Sequence, residues 1–220
     1  MIQSKRTAYV INLKRRPDRL SAFYEKFRKF HNNTSLYLKE AVDAEELDNN
    51  ENYKKLFKNK KTKLTKGEIA CLLSHYEVFK EIIDKKLPYA VIYEDDVEFH
   101  SNFAELNNRV FEEIPNDFMI LYLGGRCTCV YAKYLDPITS HISKHFPTII
   151  SNVDSDRTTH AYIISNSCCQ ILCDLIEQQN EYMLAIDHFI LRNLLAIKIP
   201  VLNSVPLICF SNNSDGDIRR

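Results

Sequence analysis

Residues 89–96 have the sequence YAVIYEDD, in which an apolar stretch with β-branched residues stops at three consecutive carboxylates, Glu94, Asp95 and Asp96. An apolar run of this length is typical of a buried strand. In open α/β sheets, ligands bind in the crevice outside the carboxyl ends of the strands. Acidic side chains at such a strand end indicate a site for a hard cation or a polar substrate. The alternative is structural, with the acids forming a solvated loop or a cap for a helix that starts near Ser101.

Strand and helix patterns alternate on both sides of this stretch. Strands are predicted at residues 8–13, 36–42, 118–123 and 161–164, and helices at 20–30, 69–83, 103–111, 167–179 and 186–195. Thr65 and Glu68 have the spacing of a capping box before the second of these helices. The alternation predicts an α/β fold with a single domain over residues 1–220. Poor periodicity over residues 126–158 predicts a flexible loop or flap.

Composition narrows the classes of protein to consider. A chain of 220 residues can bury one good core and is short for two full domains. The formal net charge is zero, so the chain as a whole lacks the excess positive charge typical of nucleic-acid-binding proteins. The chain has only four glycines, and because neither G-x-G-x-x-G nor a Walker A pattern occurs, a dinucleotide oxidoreductase and a P-loop kinase are disfavoured.

Cysteine usage and hydropathy bear on the compartment. The seven cysteines are odd in number and several lie in apolar stretches, which favours reduced thiols in a cytoplasmic protein over an extracellular disulfide framework. Cys127 and Cys129 lack the spacing of a structural zinc site. The first residues contain no apolar core of a signal peptide, and no stretch is long enough to span a bilayer. Any contact with a membrane is therefore expected to be peripheral.

Five short motifs suggest a family. They are Val10-Ile11-Asn12-Leu13 with Arg15-Arg16-Pro17-Asp18-Arg19, Gly67-Glu68-Ile69-Ala70-Cys71 with Ser74-His75, Glu94-Asp95-Asp96, Thr159-His160-Ala161-Tyr162, and Ile186-Asp187-His188-Phe189. In this order and spacing they resemble glycosyltransferase family 25, the lipooligosaccharide and lipopolysaccharide galactosyltransferase-like proteins, whose distant relatives glycosylate collagen. The resemblance covers nearly the whole chain. The acidic motif departs from the Asp-x-Asp pattern of many metal sites because it opens with Glu94.

The resemblance implies a GT-A-like nucleotide-sugar-binding sheet flanked by helices. It also implies an inverting transfer of a hexose, galactose from UDP-galactose, onto a lipooligosaccharide or lipopolysaccharide glycan or glycolipid acceptor. Negative charge grows on the leaving diphosphate as the glycosidic bond breaks, and a divalent ion, Mn²⁺ or Mg²⁺, stabilises such charge. Two alternatives stay open: a collagen-type protein glycosyltransferase, and a non-catalytic carbohydrate-binding relative.

The resemblance also assigns roles to the acidic residues. Asp96 is the expected metal ligand, with Glu94 reaching the ribose or a metal-bound water and Asp95 in support. Asp187 is the expected general base, which would take the proton of the acceptor hydroxyl. The competing interpretation of Asp187 is a helix N-cap that accepts hydrogen bonds from backbone N–H groups.

The remaining candidates are expected to contact the two substrates. Asn12 and Arg15 follow the first strand and are assigned to the nucleotide, although the arginine could equally be solvated. Ser74 and His75 are assigned to the donor pocket; a histidine on a partly apolar helix is more often structural. The acceptor side is assigned to His160 and Tyr162.

A dense group of lysines precedes the capping box: Lys54, Lys55, Lys58, Lys60, Lys61, Lys63 and Lys66. Such a run is usually a solvated loop. If the acceptor lies in an anionic inner leaflet, each lysine near the surface adds roughly 1 kcal/mol of attraction. The cluster therefore supports the hypothesis of peripheral contact between a cytoplasmic enzyme and the membrane.

Overall fold

The computed structural model describes residues 6–30, 33–57, 62–125, 142–145, 158–178, 183–204 and 207–211. The helices are α1 (Pro17–Phe30), α2 (Glu51–Leu56), α3 (Lys66–Asp84), α4 (Phe103–Glu113), α5 (Asn166–Gln178) and α6 (Ile186–Ala196). The strands are β1 (Arg6–Asn12), β2 (Thr34–Glu40), β3 (Tyr89–Glu94), β4 (Val97–Phe99), β5 (Ile120–Tyr122), β6 (Gly124–Gly125), β7 (Ile142–His145), β8 (Ala161–Ser165), β9 (Val201–Ser204) and β10 (Cys209–Ser211).

Seven strands form a mixed central sheet in the order β2-β1-β3-β8-β5-β9-β7. The β1 strand is parallel to both β2 and β3, whereas β8 runs antiparallel between β3 and β5. A smaller sheet has the order β4-β10-β6. Because β1 and β3 are parallel neighbours with Ile11 opposite Glu94, their carboxyl ends meet at one edge. The reversed strand β8 begins at that same edge, with Ala161 opposite Tyr93.

The central sheet is covered by helices on both faces. Alternate residues of β1 enter different cores: Tyr9 and Ile11 pack with α3, α5 and α6, while Ala8 and Val10 pack with α1 and α4. This is the side-chain alternation expected of a strand that is buried on both sides. The predicted α/β architecture is therefore confirmed.

Local signals account for several element boundaries. Pro17 occupies the first position of α1, where its missing N–H costs nothing. Both hydrogen bonds of the predicted capping box are present at α3, from Glu68 N to the Thr65 hydroxyl and from Thr65 N to the Glu68 carboxylate. In the described parts of the chain, no helix is long and apolar enough to cross a membrane.

The sequence patterns missed the short elements. Helix α2 lies in a region expected to be polar loop, and β4, β9 and β10 have three or four residues each. Within the segment predicted as a flap, residues 142–145 form β7, an edge strand antiparallel to β9. The rest of that segment up to residue 157 lies outside the described residues. Because β7 takes its place from long-range pairing, local periodicity could not have identified it.

Candidate functional site

A cleft opens at the sheet edge where β1 and β3 end. It encloses about 690 Å³ of empty space that includes open solvent. It is lined by Ile11, Leu13, Arg15, Arg19, Ala41, Val42, Ala44, Gly67, Ala70, Cys71, Ser74, His75, Glu94, Asp95 and Asp96. All three carboxylates at the end of β3 are in this lining, as the position of ligand sites in open α/β sheets predicts.

Asp95 is buried and held by two residues from the β1–α1 region. The Asn12 amide donates to one carboxylate oxygen over 2.6 Å, and the Arg19 guanidinium forms an ion pair with the other. Burial raises the pKa of Asp95, and the charge of Arg19 and the hydrogen bond from Asn12 only partly offset it. Asn12 also donates to the Arg16 carbonyl at 3.0 Å, which fixes its amide. These bonds connect the start of α1 to the turn after β3.

Glu94 faces a different set of partners. Its Oε1 lies 3.3 Å from His75 Nε2 and accepts a hydrogen bond from the Thr159 hydroxyl at 2.7 Å. Burial opposes ionisation of Glu94, but the hydrogen bond and charge of His75, with the bond from Thr159, hold its pKa below the usual range. The other ring nitrogen of His75, Nδ1, lies 2.7 Å from the Tyr162 hydroxyl. His75 therefore has both nitrogens engaged and a fixed ring orientation.

Glu94 and Asp95 diverge because successive side chains of extended backbone point to opposite faces. Glu94 turns toward α3, and Asp95 turns toward α1. Asp96 follows in the turn between β3 and β4 and lines the cleft, with one oxygen 3.5 Å from Arg19. The Asp96 carboxylate is partly exposed, and its contact with Arg19 is longer than the contact between Asp95 and Arg19. The carboxylate oxygens of Asp96 are hard ligands of the kind that Mn²⁺ and Mg²⁺ prefer.

Cys71 lies on the cleft-facing side of α3, one turn before His75. Its thiol pKa is raised well above the usual value by burial and then by the negative charges of Glu94, Asp187 and Asp96. Asp187, on α6, is not among the residues that line the cleft, although its charge contributes to this shift at Cys71. Helix α6 begins at Ile186 with Ala185 as its N-cap, so Asp187 lies inside the first turn and accepts a hydrogen bond from His188 N.

Ser74 and Arg15 line the cleft but already have protein partners. The Ser74 hydroxyl donates to the Ala70 carbonyl at 2.8 Å and accepts from Val42 N at 2.9 Å. It therefore holds the loop after β2 against α3. Arg15 pairs with Asp43 over 2.7 Å and remains substantially exposed. A ligand could contact Arg15 without displacing buried groups.

His160 and Tyr162, assigned to the acceptor side, are both buried in the structure. The backbone carbonyl of His160 accepts a hydrogen bond from Glu94 N at 2.9 Å. The His160 ring lies against Gly124, where an added Cβ would approach Nε2 to 2.5 Å. Tyr162 contacts His75 and has no exposed surface. The assignment of His160 and Tyr162 to the acceptor remains a prediction. In the structure, the backbone of His160 is bonded to Glu94, and the hydroxyl of Tyr162 contacts His75.

Three residues at the site were not among the sequence candidates. Arg19 pairs with Asp95 and Asp96, Thr159 binds Glu94, and Cys71 lies beside His75. Arg19 carried a signal: a cation in the first turn of a helix opposes the helix dipole and calls for nearby anions. Cys71 shares a helix face with His75 at a spacing of four residues, which also could have been read from the sequence.

The sequence model described as "Glycosyltransferase family 25 (LPS biosynthesis protein)" matches residues 5–190. The chain belongs to glycosyltransferase family 25. Human procollagen galactosyltransferase 2 is 30% identical over 176 residues, which cover 71% of this chain and 25% of that protein. A bovine protein named probable inactive glycosyltransferase 25 family member 3 is 31% identical over 130 residues, covering 58% of this chain and 20% of that protein. This family 25 chain thus spans a quarter or less of the length of these relatives.

A solved structure supports the fold. The crystal structure of a glycosyltransferase involved in the glycosylation of the major capsid of PBCV-1 aligns with a TM-score of 0.54 and 7% sequence identity. The alignment covers 96% of this chain and 93% of that one. The GT-A-like fold expected of this family 25 member is thereby confirmed, and at this identity the likeness concerns the fold alone.

Proposed function

We propose that this chain is an inverting hexosyltransferase that takes galactose from UDP-galactose and transfers it to a lipooligosaccharide or lipopolysaccharide glycan. The observation that carries the proposal is the cleft at the ends of β1 and β3, which is lined by three carboxylates and by Arg15 and Arg19 from the β1–α1 region. Membership of family 25 supports glycosyl transfer, and the name of the human relative supports galactose as the sugar.

The nucleotide would lie along the β1 side of the cleft. Arg15 and Arg19 line that side and supply the positive charge that a diphosphate requires. Asn12 is buried, and its amide is committed to Asp95 and Arg16, so its role would be to hold Asp95 rather than to contact the nucleotide. Arg15, which is more exposed than Arg19, is the better candidate for direct contact with a phosphate.

Mn²⁺, or Mg²⁺ in its place, would be held by Asp96. A metal ion bound there would neutralise charge that develops on the leaving diphosphate. Asp95 would serve as a positioning residue, because its two oxygens are already bonded to Asn12 and Arg19. Glu94 would serve the ribose side of the donor from its fixed place beside His75 and Thr159.

Asp187 would remove the proton from the acceptor hydroxyl as its oxygen attacks the anomeric carbon. Two features support this role: the residue lies in the first turn of α6, and its negative charge adds to the effect of burial and of Glu94 in raising the pKa of the Cys71 thiol in the cleft lining. One oxygen, Oδ1, accepts from the backbone N–H of His188 and so orients the carboxylate. The acceptor would therefore enter from the α3–α6 side, opposite the arginines.

The acceptor has two candidate classes. The association of the family with LPS biosynthesis favours a bacterial surface glycan or glycolipid. The name procollagen galactosyltransferase 2 favours a protein acceptor, and the bovine relative named as probably inactive favours a fold retained without turnover. A cleft whose lining includes both Arg15 and the Asp96 carboxylate supports turnover over the inactive alternative.

We propose that the enzyme acts in the cytoplasm, in peripheral contact with the inner face of the membrane. Of the lysine cluster, Lys58, Lys60 and Lys61 lie outside the described residues. Lys54 pairs with Glu51 at 2.7 Å, which reduces its charge available to lipid. Sedimentation with phosphatidylserine vesicles tests the contact: binding should fall when the seven lysines are replaced by glutamine, and equal sedimentation with neutral vesicles would contradict it.

The function is tested by a transfer assay with UDP-galactose and a lipooligosaccharide acceptor, with and without Mn²⁺. Asp187→Asn is expected to lower kcat by about 10²–10⁴-fold while leaving UDP binding intact. Asp96→Asn is expected to abolish the response to Mn²⁺. Asp174→Asn, an exposed carboxylate on α5, is the matched control and should retain full activity. Donor binding without transfer to any acceptor would favour the non-catalytic alternative, and transfer to collagen peptides alone would favour the protein acceptor.

A further inference from the structure

Cys71, His75 and Glu94 form a cluster of three metal-binding side chains between α3 and the end of β3. One ligand atom from each, the cysteine sulfur, a histidine nitrogen and a carboxylate oxygen, lies within 4.8 Å of the other two. Cys71 and His75 are one helical turn apart and so project from the same face of α3. The cluster differs in chemistry from the oxygen-only set at Asp95 and Asp96, which is turned toward Arg19.

The spacing suits a tetrahedral ion. Bonds of about 2.0–2.1 Å to histidine nitrogen and carboxylate oxygen place two such ligands about 3.3 Å apart in a tetrahedral zinc site. His75 Nε2 and Glu94 Oε1 are 3.3 Å apart in the structure. Cys71 Sγ lies within 4.8 Å of both atoms, and a Zn–S bond of about 2.3 Å requires it to come to about 3.5 Å from each. Rotation of the Cys71 side chain would supply this approach when the metal binds.

Outer contacts of the kind found around metal sites are already in place. His75 Nδ1 lies 2.7 Å from the Tyr162 hydroxyl, so when Nε2 binds a metal, Nδ1–H can donate to that oxygen. Thr159 donates to Glu94 at 2.7 Å and fixes the carboxylate. Tyr162 and Thr159 are both buried, which keeps this outer layer rigid.

We propose that Cys71, His75 and Glu94 bind a zinc ion, with the fourth coordination position open to the cleft. Thiolate and imidazole ligands select zinc over Mn²⁺ and Mg²⁺, which prefer oxygen. Burial and then the negative charges of Glu94, Asp187 and Asp96 oppose ionisation of the thiol, and a dication bound beside it would offset both effects. The cluster shares Glu94 and His75 with the proposed donor side of the cleft, but zinc binding there does not rest on the proposed transferase function and is tested by metal binding alone.

The test uses the full chain, stripped of metal and titrated with Co²⁺ as a spectroscopic substitute for zinc. We expect one equivalent of Co²⁺ to produce a thiolate-to-cobalt charge-transfer band with tetrahedral ligand-field bands, all removed by one equivalent of Zn²⁺. Cys71→Ser should lose the charge-transfer band. The matched control is the double variant Cys127→Ser/Cys129→Ser, which removes two closely spaced cysteines that lack the spacing of a zinc site, and it should keep the band.

The result that overturns the proposal is a wild-type protein without a thiolate band at saturating Co²⁺, or a band that is lost in the double variant and kept in Cys71→Ser. If Cys71→Ser does not fold, as judged by circular dichroism, X-ray absorption of the zinc-loaded wild type decides. The proposal predicts one sulfur at about 2.3 Å together with nitrogen or oxygen ligands. A shell of nitrogen and oxygen alone contradicts it.

Discussion

Asn12, the last residue of β1, donates a 2.6 Å hydrogen bond to Asp95, which lies 83 positions later in the turn after β3. The bond fixes the orientation of a buried carboxylate at the point where two parallel strands end. Because the donor is a neutral amide, the charge of Asp95 is left to Arg19. The geometry of this edge of the cleft therefore depends on two residues from the first nineteen of the chain.

Replacing Arg19 with methionine is expected to destabilise the protein. Arg19 is mostly buried against Asp95, and removing one member of a buried ion pair leaves an uncompensated charge, which costs about 3–5 kcal/mol. Urea unfolding measures the change. Arg28→Met, an exposed arginine on the same helix, is the control and should leave the midpoint nearly unchanged. Equal effects of the two variants would mean that the Arg19–Asp95 pair contributes nothing.

Glu94 and Asp95 are neighbours whose ionisation should affect stability with opposite signs. The folded-state pKa of Glu94 lies below its value in the unfolded chain, about 4.3, so its ionised form adds stability that is lost as pH falls below that value. The folded-state pKa of Asp95 is raised above about 3.9, so ionised Asp95 costs stability that is regained as pH falls through the raised pKa.

The measurement compares the metal-free wild type with Glu94→Gln and Asp95→Asn by urea unfolding at a series of pH values with a chelator present. The advantage of wild type over Glu94→Gln should shrink as the pH falls below about 4.3. The free energy of unfolding of wild type, relative to that of Asp95→Asn, should increase as the pH falls through the raised pKa of Asp95. Slopes of the same sign for both variants would refute the assignment of the two environments.

Gly124→Ala is expected to displace His160. A Cβ at this position would lie 2.5 Å from His160 Nε2 and 3.0 Å from the Cys209 carbonyl oxygen, closer than packed atoms tolerate. Overpacking of this kind costs about 1–3 kcal/mol. In a His160→Ala background the main clash is absent, so the same substitution should cost less, by at least about 0.5 kcal/mol. Identical costs in the two backgrounds would show that His160 does not occupy this contact.

The sequence anticipated much of this edge of the sheet. The YAVIYEDD stretch identified β3 and the position of its acids, and Thr65 with Glu68 identified the start of α3, because both features are encoded locally. The sequence could not show that Glu94 turns toward α3 while Asp95 turns toward α1. That division depends on side-chain alternation at the strand end together with partners as distant as Arg19 and His75.

Short strands were missed for a related reason. The patterns for β7, β9 and β10 span only three or four residues, and each strand is fixed by pairing with a distant segment. The insertion of β8 between β3 and β5 in antiparallel orientation is likewise a long-range property. That reversal brings Thr159 to Glu94, so a contact within the site depended on topology that no local pattern specifies.

The central claim is that the cleft at the ends of β1 and β3 binds a nucleotide sugar with a divalent ion at Asp96. The most direct measurement is anomalous diffraction from crystals soaked with UDP and Mn²⁺. We predict a manganese peak at the Asp96 carboxylate, with the diphosphate between the metal and Arg15. A manganese peak or a uridine nucleotide bound elsewhere, with the cleft lined by Glu94, Asp95 and Asp96 empty, would contradict the claim.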